Sequence, residues 1–405
     1  MARTIQEGVY YQQGTRPGNF YTILFLGSEP DASATSARDF LRQLWTLYQD
    51  LKRGRVRDLP GHPVPAGDLK VLIGYGPNVF KIPGTKETPP ELEEENWFLS
   101  PRDGGGGPLL FNSGLSYPDD INKNIATVAV SVQFIADTQL AVHRATVETW
   151  KFLSDYASQV EEPSPFAFAG FFDGFQRDDF RSWIDFHDGL SNLRSGKERE
   201  NVIRIKNGEY EGGTSMCYLR LTVDLPVWRR LGRTEQELLV GRDKLTGCPL
   251  SDVGPSGEPI VESGCPVMGH EITEEANDDY REPPLVTHPT LLQSHVQRAN
   301  LAHSTDFAVP QSLRIFRQGF EFIEQVSAPP GFRVGLNFVS FQDTPQRVIR
   351  LLTRDEWLGG TNFGGSQNPR DPRVGRLLSV RAGANFLVPP VDENEHFPGE
   401  NIFSM

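Results

Sequence analysis

The chain has 405 residues, of which 38% are apolar and 23% charged, and a formal net charge of −13. That acidic balance argues against a nucleic-acid partner, whose phosphates need a basic surface. No run of eighteen apolar residues exists, so no membrane-spanning helix is expected, and the length suggests two domains.

In chain order, Tyr21–Leu26 is an apolar, β-prone run closed by Gly27. Ala37 to Leu51 follows, with Phe40, Leu41, Leu44, Leu47 and Leu51 at helical spacing. Leu69–Gly74 is a second strand, and residues 82–124, rich in Gly, Pro, Asp and Glu, read as loop. Thr127–Phe134 is a third strand, and Thr138 caps a helix to about Ala157. This β-α-β-loop-β-α order is that of a ferredoxin-like βαββαβ sheet with helices on one face. Glu161–Pro165 reads as a linker, placing one domain at 1–160 and a second at 166–405. In the second, Val202–Ile205, Met216–Val223 and Arg333–Phe341 read as strands. Pro226 opens a helical stretch, and Thr234 to Glu237 has capping-box form. Thr344 to about Trp357 reads as a helix, and residues 247–287 as a long excursion.

Cys217, Cys248 and Cys265 are odd in number and irregular in spacing, which does not describe a disulfide framework. Free thiols in a reducing compartment are expected. A zinc site from Cys248, Cys265 and His270 lacks any C-x-x-C pair to support it. The first eight residues hold one basic residue and no apolar leader, so a cytoplasmic protein is expected. A secreted chain whose leader has been cleaved would read the same.

Three short segments carry candidate chemistry. Gly170-Phe-Phe-Asp-Gly174 sets a single carboxylate, Asp173, between glycines and among phenylalanines that would desolvate it and tend to raise its pKa. Such a group can shuttle a proton, although a plain turn aspartate has the same local pattern. In Gln293-Ser-His-Val-Gln-Arg-Ala-Asn300, His295 and Arg298 fall on one helix face. One could bind iron and the other a haem propionate, or the histidine could be structural. In Ser312-Leu-Arg-Ile-Phe-Arg-Gln-Gly-Phe320, strand periodicity puts Arg314 and Arg317 on opposite faces, one toward a pocket and one toward solvent.

Taken in order with Gly335-Leu-Asn-Phe-Val-Ser-Phe-Gln342, these segments resemble the dye-decolorizing peroxidase family. Tyr218 to Gly247 and the Phe386-Leu-Val-Pro-Pro390 ending extend the resemblance, which runs from about 166 to 390. It implies an α+β fold of two ferredoxin-like domains, of the dimeric α+β barrel type, with haem b in the C-terminal one. His295 matches the proximal iron ligand, Asp173 the distal aspartate and Arg317 the distal arginine. Arg314 matches the preceding arginine of the motif, and Leu336 and Phe338 the apolar residues lining the distal side. Two departures stand beside these positions. The family's D-G-x-S-x-P reads Asp173-Gly-Phe-Gln-Arg-Asp178 here, and Leu301 follows Asn300 where the family often has proline.

The activity so implied is peroxide reduction coupled to oxidation of dyes, phenolics or other one-electron donors, with hydrogen peroxide and aromatic reductants as partners and an oligomer possible. Surface Trp or Tyr, of which there are 6 and 10, could relay electrons from bulky donors. The proximal histidine needs an acceptor on its other ring nitrogen, for which Asp343 and Asp392 are candidates. The alternatives are a haem-binding protein of the same fold with little turnover, and a non-haem ferredoxin-like scaffold.

Overall fold

In the computed structural model the described residues are 3–10, 17–88, 100–101, 109–110, 125, 128–159, 163–193, 196–265, 284–299, 314–345, 347–348 and 377–404. The strands that matter are β1 (Phe20–Ser28), β2 (Lys70–Tyr75), β3 (Val130–Ala136), β4 (Phe166–Phe175), β5 (Thr214–Val223), β6 (Phe316–Gln325), β7 (Phe332–Gln342) and β8 (Leu378–Val388). Within the first half the strand order is β4-β1-β3-β2, and within the second β6-β7-β5-β8, all antiparallel. Each is the ferredoxin-like order. The two sheets join edge to edge into one closed barrel. The seams are thin: each is registered at a single residue pair, Leu387 with Tyr75 and Glu321 with Phe175.

Closure explains the nearly unbroken apolar runs. A strand of such a barrel is buried on both faces. On β1, Tyr21, Ile23 and Phe25 point into the barrel, while Leu24 and Leu26 point outward. The interior is shared by both halves. Tyr21 stacks on Phe320 at 4.3 Å, and Phe25 packs against Tyr218 and Phe386. Arg220, a buried cation of the interior, is satisfied by Glu324 (2.6 Å) and Asn337 (2.8 Å) and lies over Phe322.

Helices α1 (Ala34–Lys52) and α2 (Gln139–Gln159) cover the outer face of the first sheet. Ser33 and Ser36 form a reciprocal cap that starts α1, and Phe40, Leu41, Leu44, Tyr48 and Leu51 form its buried stripe. On the second sheet, α3 (Arg233–Val240) and α4 (His295–Ala299) lie over an apolar layer that includes Trp228, Val240 and Phe338. No helix among the described residues is long and apolar enough to cross a membrane.

Several sequence expectations are corrected. β4, assigned to the second domain, pairs with β1 from Phe20–Phe175 to Ser28–Phe166 and completes the first sheet. Val202 and Ile203 end a helix, Gly196–Ile203, because both side chains turn into the barrel core. The α3 cap sits two residues earlier than Thr234: the Gly232 amide donates to Glu235 at 2.9 Å, and Glu237 instead binds Arg233. Cys248 and Cys265 form a disulfide, with Cα atoms 6.2 Å apart, leaving Cys217 as a buried free thiol. The 82–124 loop, the 344–357 helix and much of the 247–287 excursion, with His270, fall largely outside the described residues.

Candidate active site

The outer face of β6 and β7 builds the floor of a cleft. Cross-strand partners share a face, so the registers Arg317–Ser340, Gly319–Phe338 and Glu321–Leu336 set an alternating polar and apolar strip. Of these, Arg317, Gly319, Glu321, Leu336 and Phe338 line the cleft. The segment between β4 and the Gly196–Ile203 helix forms its wall, contributing Gln176, Arg177, Phe180, Arg181, Asp188, Gly189 and Asn192.

That wall is pinned to the strand. Asn192 donates through Nδ2 to the Arg317 carbonyl at 2.8 Å and accepts the Arg317 amide on Oδ1 at 3.0 Å. The side chain thus acts as an extra strand partner and fixes Arg317. Ser191 carries two more arginines: its hydroxyl accepts from Arg242 at 2.8 Å and its carbonyl from Arg314 at 3.1 Å. Arg242 is buried, and burial together with the nearby charge of Arg317 pushes its pKa down to about 10. It remains a cation at neutral pH, so the site is electropositive beneath the wall.

Asp188 reaches into the cleft over Gly319. A Cβ at position 319 would lie 3.1 Å from Asp188 Oδ2 and 3.1 Å from Leu336, tighter than ordinary packing allows. Glycine here makes room for the carboxylate on the strand face. The Gly189 amide donates to Asp188 Oδ1 at 2.8 Å, and the Asp188 amide donates to the Phe180 carbonyl at 2.9 Å. His187, beside it, stacks on Phe180, and burial lowers its pKa.

Asp173 does not join this group. It faces outward on β4 toward α2, where Thr22 Oγ1 donates to it at 2.5 Å and His143 Nε2 lies 3.2 Å away. Its side chain is 40% exposed, so the expected enclosure by phenylalanines is not met. The flanking glycines serve the barrel. A Cβ on Gly174 would come within 2.5 Å of Asn337, and Gly170, with φ +145°, lies where the β1–β4 register shifts. A second D-G segment lies further on: Asp188-Gly-Leu-Ser191 reads D-G-x-S, with Leu193 at the proline position. Neither segment carries the whole pattern: Asp173 has the first glycine without the serine, and Asp188 has the serine with Asp185 at the first glycine, so the motif offers both aspartates and only Asp188 lines the cleft.

His295 opens α4, half-buried, with its Nδ1 buried. The start of α4 is held by the end of α3. Gly241, in the left-handed conformation that glycine tolerates, leaves no space for a Cβ, which would sit 2.5 Å from Val296 and 2.6 Å from Ser294 Oγ. Through Ala299, α4 packs into the same apolar cluster as Phe338. Arg298 stands half-buried in its last turn, and Arg314 precedes β6 rather than lying on it. The two carboxylates expected to support His295 have other partners. Asp343 is bound by Arg347 at 2.5 and 3.1 Å, and Asp392 by Arg3 and Asn394.

The residues present fit a haem. A flat apolar ring carrying two carboxylates and a metal needs an imidazole, apolar walls and cations. Here His295 is half-buried at the start of α4, Arg298 stands on the same short helix, α4 and Phe338 share one apolar layer, and Arg317 lines the cleft with Phe338.

The fold and this cleft define a barrel of two ferredoxin-like halves with a carboxylate and an arginine converging on the outer face of the second. The model for the Dyp-type peroxidase C-terminal family matches residues 179–393, more than half of the chain. The chain belongs to the DyP-type peroxidase family. Curated relatives are distant. Deferrochelatase from Shigella flexneri is 24% identical over 311 residues, 71% of this chain and 64% of that protein, so the match spans less than two thirds of that relative's length. Deferrochelatase from Escherichia coli K12 is 23% identical over 367 residues, 85% of this chain and 74% of that protein. Among solved structures, a DyP-type peroxidase from Streptomyces coelicolor superposes with a TM-score of 0.67 at 18% identity, covering 100% of this chain and 98% of that one. Ferric DtpA from Streptomyces lividans gives 0.65 at 19% identity, covering 100% and 96%. These likenesses, all below 25% identity, establish the fold.

Proposed function

We propose that the chain is a haem b peroxidase that reduces hydrogen peroxide and oxidises one-electron donors such as dyes or phenolics. Asp188, over Gly319, and Arg317 line one cleft, and its Phe338 shares an apolar layer with the His295 helix; this carries the reading. Bound haem would supply the metal that takes peroxide and the store for its oxidising equivalents. His295 would hold the iron, and Arg298 and Arg314 are the candidate partners for the propionates. Asp188 takes the part first given to Asp173: as a carboxylate it accepts a proton from peroxide and returns it to the leaving oxygen. Arg317, held by Asn192, offers a fixed positive charge to that oxygen as negative charge develops on it. Leu336 and Phe338 restrict water and large molecules beside the reacting oxygens.

The test is an absorbance spectrum of haem-loaded protein, followed by peroxide-dependent oxidation of a dye. A Soret band is expected in the wild type, with weakened haem retention in His295→Ala. Wild-type haem content and an unchanged spectrum in His295→Ala would remove His295 from the site. The names of the curated relatives favour a second reading, a chelatase-like protein with little peroxidase turnover. Release of iron from added haem, without dye oxidation, would select it.

A further inference from the structure

Glu321 is a buried carboxyl in the cleft that the scheme above leaves unused. It stands two positions beyond Gly319 on the same face of β6, is 6% exposed, and lines the cleft with Asp188. The groups that face it come from three elements. β7 contributes Leu336 and β4 contributes Phe175, both apolar. The wall contributes the charges of Asp188, Asp179 and Arg177.

The wall's cations are committed elsewhere. Asp179 binds Arg177 with both oxygens, Nε to Oδ1 at 2.9 Å and Nη2 to Oδ2 at 2.5 Å. Arg181 donates to the carbonyls of Asp185, Lys244 and Leu245. A carboxylate buried among apolar side chains, near a second carboxylate, is the arrangement that favours the neutral acid. Burial first, and then the charge of Asp188, push Glu321 up to about 9, with Arg177 and the Trp183 backbone opposing.

We propose that Glu321 is the proton reservoir of the cleft, a neutral carboxylic acid at pH 7 that delivers its proton through Asp188. This rests on the peroxidase reading of the cleft. Reducing peroxide to two waters consumes two protons along with two electrons from the donor. Asp188 relocates the proton that peroxide brings, and Glu321 is the buried carboxyl of the same cleft that can hold one of the added protons. In the step proposed, the O–H bond on Glu321 breaks, the proton passes to an Asp188 oxygen, and solvent at the cleft mouth reprotonates Glu321. No electron moves in it. Glu321 is thus a positioning residue for protons, acting on the substrate through Asp188.

The direct test is infrared difference spectroscopy of the haem-loaded protein between about pH 7 and pH 10.5, spanning the expected ionisation. A protonated-carboxyl band should be lost at the higher pH, be absent in Glu321→Gln and return, shifted, in Glu321→Asp. The functional arm is dye turnover against pH. Glu321→Gln should fall roughly tenfold or more at pH 8, and by no more than about twofold at pH 5, where solvent supplies protons. Glu321→Asp should recover most of the loss. If the wild type shows no such band at pH 7, or Glu321→Gln leaves the band unchanged, the neutral acid is overturned, whether or not the protein turns over peroxide. If the band behaves as expected but the pH profile of Glu321→Gln matches wild type, the reservoir role is overturned.

Discussion

At the scale of single residues, two aspartates in similar D-G settings have different surroundings and should behave differently. Asp188 shares its cleft with Arg317, whereas Asp173 is bound to Thr22 and His143 under α2. Stopped-flow mixing with peroxide separates them. Asp173→Asn should react within about twofold of wild type, whereas Asp188→Asn should lose the general-base contribution, about 10²-fold or more. Arg317→Leu should lose 10²–10³-fold, roughly 2.7–4 kcal/mol, the usual cost of removing one preorganised donor to a developing anion. Reversal of the two aspartates would return Asp173 to the site. Glu321 makes a separate prediction about stability. Its folded pKa, about 9, lies above its ordinary 4.5, so between these values the folded state binds the extra proton. Its contribution to stability is therefore complete below about pH 4.5 and falls as pH rises toward 9. Urea midpoints for wild type and Glu321→Gln should diverge over that window, the variant gaining relative to wild type at the alkaline end. Parallel curves would contradict a raised pKa.

At the scale of elements, periodicity and caps made the first half readable. The Phe40–Leu51 stripe and the β1 and β7 runs are found close to where their patterns put them, because each element buries a face that its own residues define. The membership of β4 was not readable. Its partner is β1, some 150 residues earlier, and strand pairing at that distance leaves no local mark. The same holds for the proposed site: the motifs single out His295, Arg317, Leu336 and Phe338, whereas which aspartate shares a cleft with Arg317 depends on how the 176–193 wall folds over β6. The disulfide was also invisible, since an odd count with irregular spacing hides a pair. Its position gives it a consequence. Cys248 and Cys265 pack on Leu190, two residues from Asp188, and a Cβ on neighbouring Gly247 would press within 2.7 Å of the same leucine. The bridge spans 17 residues, so replacing both cysteines by serine should cost about 3 kcal/mol of stability. It should also slow the peroxide reaction several-fold by loosening the wall. Denaturant melts and stopped-flow rates of the double variant measure both, and an unchanged rate would detach the bridge from the site.

At the scale of the whole molecule, the barrel has thin seams but a thick shared interior. Tyr21 and Phe25 from the first half rest on Phe320, Tyr218 and Phe386 from the second. A fragment ending after β4 should therefore bind the apolar dye ANS and aggregate. Co-expression with the remaining residues should restore solubility, since the sheet edges need only single-pair registers to close. A soluble, dye-silent fragment would show that the interior is not shared as described.

That shared interior has a cost during synthesis. The chain emerges from the ribosome N-terminal end first, so the first sheet is complete when β4 has left the tunnel. Its covering strands from the second sheet then arrive last, β8 some 200 residues later. At about 5–20 residues per second this leaves roughly 10–40 s in which one face of a finished sheet has no partner. A nascent chain in that interval presents a wall of tyrosine, phenylalanine and isoleucine to the surrounding cytosol or membrane. It is there, rather than in the finished protein, that a chaperone would have most to hold.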